Sequence, residues 1–301
     1  MDADERERRR AEDVARIERG SVPLAAQERI EELAARGTLF TSGLSVADFA
    51  LTRLEGIRPV CQVMGSSVYQ VGWQNYPWSG SWGDGSSSEL EQLSGAWNEA
   101  RSLALGRLAE EARLAGCHAV VDVTFDSRRH AFLDDEIEIV VNGTAVHLPE
   151  GLEGDGVGGE PILTDLALPD YVLLRRAGYR PVGVVTATSV FYIVPGRQTR
   201  SATTGWGQWS NQELKDFTQG VYYAREVAVG RATSDARTLG AGGLIGVSID
   251  EDVAVREVGG ENNKRTDLIV TFHVLGTAIA PETEYRPLDP DLMIRLQKRP
   301  A

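Results

Sequence analysis

Two segments of the chain carry apolar residues at the three-and-four spacing of an amphipathic helix. The first has an apolar stripe of Leu90, Leu93, Trp97, Ala100, Ala104, Leu108 and Ala112. The second repeats the stripe 124 residues later as Leu214, Phe217, Val221, Ala224, Ala228, Ala232 and Ala236. Each stripe is followed by a glycine, Gly116 or Gly240, of the kind that ends helices in the left-handed conformation. The pattern therefore predicts two long helices, each buried along one face.

Extended segments flank each predicted helix. One precedes it, at residues 58–73 and 180–195, and two follow it, at 119–126 and 136–146 and again from residues 244 and 267. The alternation in Glu136-Ile137-Glu138-Ile139 is typical of a sheet with one solvated face. The sequence predicts an α+β fold of two tandem β-α-β-β units, each a small antiparallel sheet covered by one long helix.

The two halves of the chain are also similar in sequence. GIRPV at 56–60 recurs as GYRPV at 178–182, and further matches follow at offsets of 122, 124 and 133 residues. Matches that keep their order indicate a tandem duplication. We expect a helical extension at 1–37, a first domain at 38–149, a Gly-rich acidic linker at 150–160, a second domain at 161–281 and a tail at 282–301.

A serine–glutamate pair precedes each predicted helix. Ser86 lies three residues before Glu89, and Ser210 lies three residues before Glu213. This spacing is typical of the capping box, in which a hydroxyl and a carboxylate bind the free N–H groups of a helix start. We therefore expect both pairs to cap their helices.

Charge and hydropathy exclude several classes of partner. The net charge of −13 argues against nucleic acid as a partner, because nucleic acids are themselves polyanions. We expect no membrane insertion, since no apolar run reaches the length of a spanning helix. The charged N-terminus does not have the pattern of a secretory signal, so we expect a cytoplasmic protein.

Two pairs of segments resemble the YbjQ-like family. Leu114–Val123 and Leu239–Val247 are similar to a motif of that family, and Gly143–Val146 and Gly276–Ile279 are similar to its closing strand. The resemblance implies a β-α-β-β unit that assembles into five-membered rings, in a family labelled as heavy-metal-binding. With two units per chain, we expect a homopentamer of two stacked rings. The rival is a trimer or hexamer in which the two units alternate around one even-numbered ring.

The metal label directs attention to Cys61, Cys117 and His118. Adjacent Cys117 and His118 could share one ion with Cys61, because thiolate and imidazole are ligands for transition metals. The second half has other residues at the matching positions, namely Gly183, Ala241 and Gly242. The alternative is a buried cysteine beside a histidine that complements the helix dipole. We predict no cofactor, with a divalent transition metal as the alternative.

Aromatic residues are concentrated in the two loops that precede the long helices. They are Trp73, Tyr76, Trp78 and Trp82 in the first half and Trp206 and Trp209 in the second. Such rings either fill subunit contacts or bind a ligand or partner. The N-terminal helices are a second candidate surface for a protein partner.

The sequence lacks a recognisable catalytic motif, with no nucleophile elbow, P-loop or zincin pattern. We therefore predict a non-enzymatic, ring-forming scaffold or interaction protein. The alternative is a metal- or small-ligand-binding module that uses the same ring.

Overall fold

The computed structural model describes residues 3–36, 40–72, 85–129, 136–150, 159–203, 211–259 and 265–282. The first half contains α1 (Ala3–Glu18), α2 (Leu24–Arg36), α3 (Val46–Glu55), β1 (Arg58–Gln70), β2 (Ser86–Glu89), α4 (Glu91–Leu114), β3 (Ala119–Arg129) and β4 (Glu136–His147). The second half contains β5 (Ile162–Leu163), α5 (Leu168–Arg176), β6 (Tyr179–Val194), α6 (Arg197–Thr203), α7 (Lys215–Thr238), β7 (Gly243–Val258) and β8 (Arg265–Pro281).

The α+β fold predicted from the sequence is confirmed. Unit 1 is formed by β1, α4, β3 and β4, and unit 2 by β6, α7, β7 and β8. In each unit the last strand pairs antiparallel with the other two, so that β4 lies between β1 and β3, and β8 between β6 and β7. The two units share their strand register: an irregularity falls between Pro59 and Cys61 in one and between Pro181 and Gly183 in the other. Matching positions in the two units can therefore be compared directly.

The long helices bury the faces that their apolar spacing predicts. All seven residues of the first stripe are buried, as are the four alanines of the second. Gly116 and Gly240 have φ of +67° and +72° just beyond the helix ends. The helix lies closest to its sheet at Gly65, where an added Cβ would stand 1.9 Å from the carbonyl oxygen of Ala104.

The predicted capping boxes are wrong. Helix α4 begins at Glu91, and its N-cap, Leu90, makes no side-chain cap hydrogen bond. Ser86 and Glu89 instead belong to β2, because β6 offers this segment a strand edge to pair with. Helix α7 begins at Lys215 with Leu214 as its N-cap, so Glu213 lies before the helix, and Ser210 lies outside the described residues.

Two short strands are exchanged between the units. The first sheet has the order β1-β4-β3-β5 and the second has the order β2-β6-β8-β7. Strand β2 precedes α4 of unit 1 but pairs antiparallel with β6 of unit 2. Strand β5 leads into unit 2 but pairs in parallel with β3 of unit 1. The two units are therefore joined by backbone pairing in both directions.

The predicted N-terminal helices are present as α1 and α2, which pack along α4. Ser21 and the backbone N–H of Val22 both bind the carboxylate of Glu110, and Arg29 pairs with Glu111 at 2.8 Å. Helices α3 and α5, which the sequence did not predict, occupy matching positions just before the first strand of each unit. In the described part of the chain, no helix is long and apolar enough to cross a membrane.

Candidate functional site

The most elaborate polar site of the described chain lies at the junction between the two units. Here the start of α4 continues the cover that β2 gives to the edge of β6. The N–H of Leu90 donates to the carbonyl of Val190 at 2.8 Å, and the N–H of Val190 donates to the hydroxyl of Ser94 at 2.9 Å. The side-chain amide of Asn98 binds both the N–H and the carbonyl of Thr188, at 2.8 and 2.9 Å. These contacts satisfy backbone groups that a free strand edge would leave open.

An ion pair joins β2 to the helix of the other unit. Arg231 of α7 donates from both terminal nitrogens to the two carboxylate oxygens of Glu89, at 2.5 and 2.9 Å. The same guanidinium also donates to the carbonyl of Thr188 at 3.1 Å. A two-pronged arginine–carboxylate pair fixes orientation as well as adding energy. The glutamate expected to cap a helix is therefore part of the junction.

A buried arginine lies between α4 and the second sheet. Arg101 is 5.9 Å from the ring centre of Trp97 and 5.8 Å from that of Phe125, and it donates to the hydroxyl of Thr186 at 2.6 Å. Burial lowers the pKa of Arg101 to about 10, although Asp250 favours its charged form. The rings and the hydroxyl therefore compensate only in part for the water that Arg101 loses.

A histidine completes this contact. The ring of His273 lies 4.8 Å from that of Trp97, and its Nδ1 is 2.9 Å from the hydroxyl of Thr188. Burial, and then the charge of Arg101, lower the pKa of His273 to about 3. The imidazole is therefore neutral near pH 7, which suits an edge-to-face contact between the two rings and one hydrogen bond.

The second exchanged segment forms the other side of the junction. The N–H groups of Ile162 and Thr164 donate to the carbonyls of His118 and Val120, each at 3.0 Å. The apolar side chains of this segment and of α5 then enter a shared core with the outer face of the first sheet, which includes Ile162, Leu166, Leu168, Tyr171 and Val172. Each unit thus completes the sheet and the core of the other.

A cleft of about 450 Å³ opens beside this junction, between α4 and the helix and strand edge of unit 2. Asn98, Leu105, Arg231 and Asp235 are among the residues that line it. The matching groove of unit 1 is occupied by the N-terminal helices, where Arg29 reaches the carbonyl of Gln62. The same groove is therefore filled by the N-terminal helices in unit 1 and left open in unit 2.

The side chains of the candidate metal ligands lie apart from the junction contacts, although the backbone carbonyl of His118 accepts from Ile162. Cys61 and Cys117 are free, buried thiols. Burial, and then the proximity of Cys61, raise the pKa of Cys117 to about 12, which disfavours the thiolate that a metal needs. The Nδ1 of His118 accepts a hydrogen bond from the N–H of Leu148 at 3.1 Å. No group of three or more His, Cys, Asp or Glu side chains in the described ranges could hold a metal ion.

The aromatic loops fall outside the described residues, which leaves Trp73, Tyr76, Trp78, Trp82, Trp206 and Trp209 as sequence predictions. Sequence reasoning missed the junction residues Asn98, Arg101, Arg231 and His273. Ser94, Asn98 and Arg101 lie on a second face of α4, beyond the stripe that covers its own sheet. A polar face is the ordinary solvent side of an amphipathic helix, so the sequence carries no local signal of this contact.

Comparisons with known proteins give two matches. Residues 83–149 match the family model YbjQ_1, described as "Putative heavy-metal-binding". The chain is 35% identical over 212 residues to the "Encapsulin nanocompartment protein Rv1762c" of Mycobacterium tuberculosis, an alignment that covers 69% of this chain and 76% of that protein. No solved structure matches the chain.

Proposed function

Because the chain belongs to the YbjQ-like family, we propose that it is a non-enzymatic oligomeric scaffold that acts as a component of an encapsulin nanocompartment. The observation that carries the proposal is the exchange of β2 and β5 between the units. The polar groups of this junction pair with strand edges and with one another, which is the chemistry of an assembly contact. The relative named as an encapsulin nanocompartment protein supplies the biological setting.

The proposal includes the domain organisation expected from the sequence, with domains at 38–149 and 161–281. It also includes a homo-oligomer, for which two arrangements stay open. A pentamer of two stacked rings has a mass of about 160 kDa and a trimer about 98 kDa, from a chain mass of 32.7 kDa. The strand exchange supports the alternating arrangement, because it puts unlike units side by side.

Native mass spectrometry of the full chain at micromolar concentration tests the assembly. We expect a discrete species at a multiple of 32.7 kDa. A stable monomer would contradict the proposal. Co-purification with the shell protein of the nanocompartment tests the setting, and recovery of the assembled protein without any shell protein would contradict that part alone.

The second candidate is a metal-binding module, which the description of the family favours. Its candidate ligands are Cys117, His118 and Cys61, and the two thiols are close enough to influence one another. Elemental analysis of tag-free protein decides between the two. We expect no stoichiometric transition metal and an unchanged assembly in Cys117→Ser. Zinc or copper at one ion per chain, lost in that variant, would establish the metal module.

A further inference from the structure

Matching positions on the outer faces of the two first strands differ sharply in burial. Val190 on β6 is fully buried beneath α4, whereas its counterpart on β1, Val68, is 63% exposed. Met64 on the same face of β1 is 47% exposed. Among the described residues β1 is an edge strand, while β6 has β2 on its outer side. Unit 1 therefore lacks the cover that unit 2 receives within the chain.

A segment of unit 2 corresponds to the β2–α4 segment that covers β6. Residues 211–213 precede α7 as β2 precedes α4, and the backbone then passes through the same conformation, with φ and ψ of −88° and 81° at Leu214 and −86° and 78° at Leu90. Glu213 is exposed there. On α7, Tyr222 is 60% exposed at the position that matches Asn98 of the junction. This segment and helix thus repeat the backbone shape of the junction element, and no strand of the described ranges pairs with residues 211–213.

A buried guanidinium on unit 1 also has no carboxylate as a hydrogen-bond partner in the described structure. Arg107 occupies the position of Arg231 and donates to the carbonyl of Ser66, as Arg231 does to that of Thr188. Only 9% of Arg107 is exposed, and its Nε has no hydrogen-bond partner in the described structure. The carbonyl of Ile17 accepts from the second terminal nitrogen at 3.2 Å, so both hydrogen bonds of the guanidinium go to backbone carbonyls, while Glu110 favours its charged form from a distance. In unit 2 the carboxylate comes from Glu89, whose counterpart is Glu213.

The second strand exchange shows the same imbalance. Leu168, just after β5, is fully buried, whereas its counterpart Val46 is 87% exposed. Val123, on the strand that β5 joins, is 2% exposed, whereas its counterpart Val247 on β7 is 44% exposed. The segment before unit 1 therefore matches the β5 segment, and the edge of β7 matches the strand edge that β5 covers. They lie at opposite ends of the same chain.

We infer that copies of this chain associate head to tail through an interface that repeats the junction between its own two units. Residues 211–213 and α7 of one chain would cover β1 of the next, with Glu213 pairing with Arg107, and residues 40–44 of that next chain would cover β7 of the first. The inference rests on the proposed assembly and specifies its interface. Such an interface is heterologous, so unlike units alternate and a closed ring contains an even number of them.

The test blocks each end of the chain separately. Glu213→Arg places a like charge opposite Arg107, and Val68→Asp places a carboxylate on the face that should be covered. We expect each variant alone to be a folded monomer of 32.7 kDa. A mixture of the two should contain a 1:1 dimer of about 65 kDa, because each chain keeps one working end. Glu251→Arg and Val255→Asp, exposed residues on the far half of β7, are the matched controls and should assemble as wild type does.

Wild-type mass in both variants would overturn the inferred interface and leave the proposed assembly intact. Monomers that stay monomeric on mixing would overturn the heterologous geometry. A monomeric wild type would refute the proposed function itself. Circular dichroism establishes that the variants are folded, and Met64→Asp replaces Val68→Asp if that variant unfolds.

Discussion

Matching valines on the two first strands provide the sharpest test of the junction's energetics. Val190 is fully buried between α4 and the second sheet, and Val68 is 63% exposed. Replacing either with alanine removes the same two methyl groups from the same position of a strand. The two variants therefore differ in their surroundings alone, and each serves as the control for the other.

The magnitudes follow from the buried area. Two fully buried methyl groups contribute about 1.6 kcal/mol by transfer, and the cavity they leave brings the cost of Val190→Ala to about 2–3 kcal/mol. Val68 is mostly exposed in the single chain, so Val68→Ala should cost about 0.5 kcal/mol or less there. The inferred head-to-tail interface would bury Val68, and the cost of its replacement in the assembled protein should then rise toward that of Val190→Ala.

Denaturant unfolding at two protein concentrations separates these effects. Association stabilises the folded state by mass action, so wild type should unfold at higher denaturant when it is concentrated. Val190→Ala should be destabilised at both concentrations, and Val68→Ala only at the higher one. An equal cost for the two variants in dilute solution, or a Val68→Ala protein with the full concentration dependence of wild type, would refute the reasoning.

Three further outcomes are expected. Gly65→Ala should unfold unit 1 or lower its melting temperature by many degrees, because the added Cβ would lie 1.9 Å from a carbonyl oxygen of α4. Ala187→Gly, at the matching position of unit 2, should cost only about 1 kcal/mol. Equal losses of stability in thermal unfolding would contradict this. Arg101→Met should loosen the junction and speed proteolysis between the units, whereas Arg225→Met, at the exposed counterpart, should not. The pKa of His273 is about 3 in the folded chain against an ordinary 6.5, so the unfolded state takes up the proton first as the pH falls. Stability should then be lost from pH 6.5 toward pH 3 at up to about 1.4 kcal/mol per pH unit, and a His273→Val protein with the same slope in denaturant titrations would contradict the assignment.

The long helices and the sheets could be predicted from the sequence because their signals are local. The apolar stripe of α4 needs only the spacing of its own residues, and Gly116 marks its end without reference to the rest of the fold. The repeat extends further upstream than predicted. Asp48 and Asp170 lie at matching positions of α3 and α5, but few other identities surround them, so the similarity of these two helices is clear only from the structure.

The junction could not be predicted because its pairing is not local. Ser86 and Glu89 have the spacing of a capping box, and nothing in four polar residues indicates a strand. The carboxylate of Glu89 instead meets Arg231, 142 residues away, once β6 offers its edge. Tertiary pairing overrides the local preference for a cap here, because an uncovered strand edge leaves a row of backbone groups unsatisfied.

Site-specific crosslinking tests the central claim of head-to-tail assembly most directly. Gln70 and Gln212 are exposed and occupy the positions that Tyr192 and Ser88 occupy in the paired strands β6 and β2. The double variant Gln70→Cys/Gln212→Cys, treated with a short bismaleimide, leaves the two native cysteines unreacted because they are buried.

The double variant should form a ladder of covalent multimers on a denaturing gel, and each single variant should remain at the mass of one chain, because Gln70 of one copy meets Gln212 of the next. A double variant that stays at the mass of one chain, or single variants that crosslink equally well, would contradict the account.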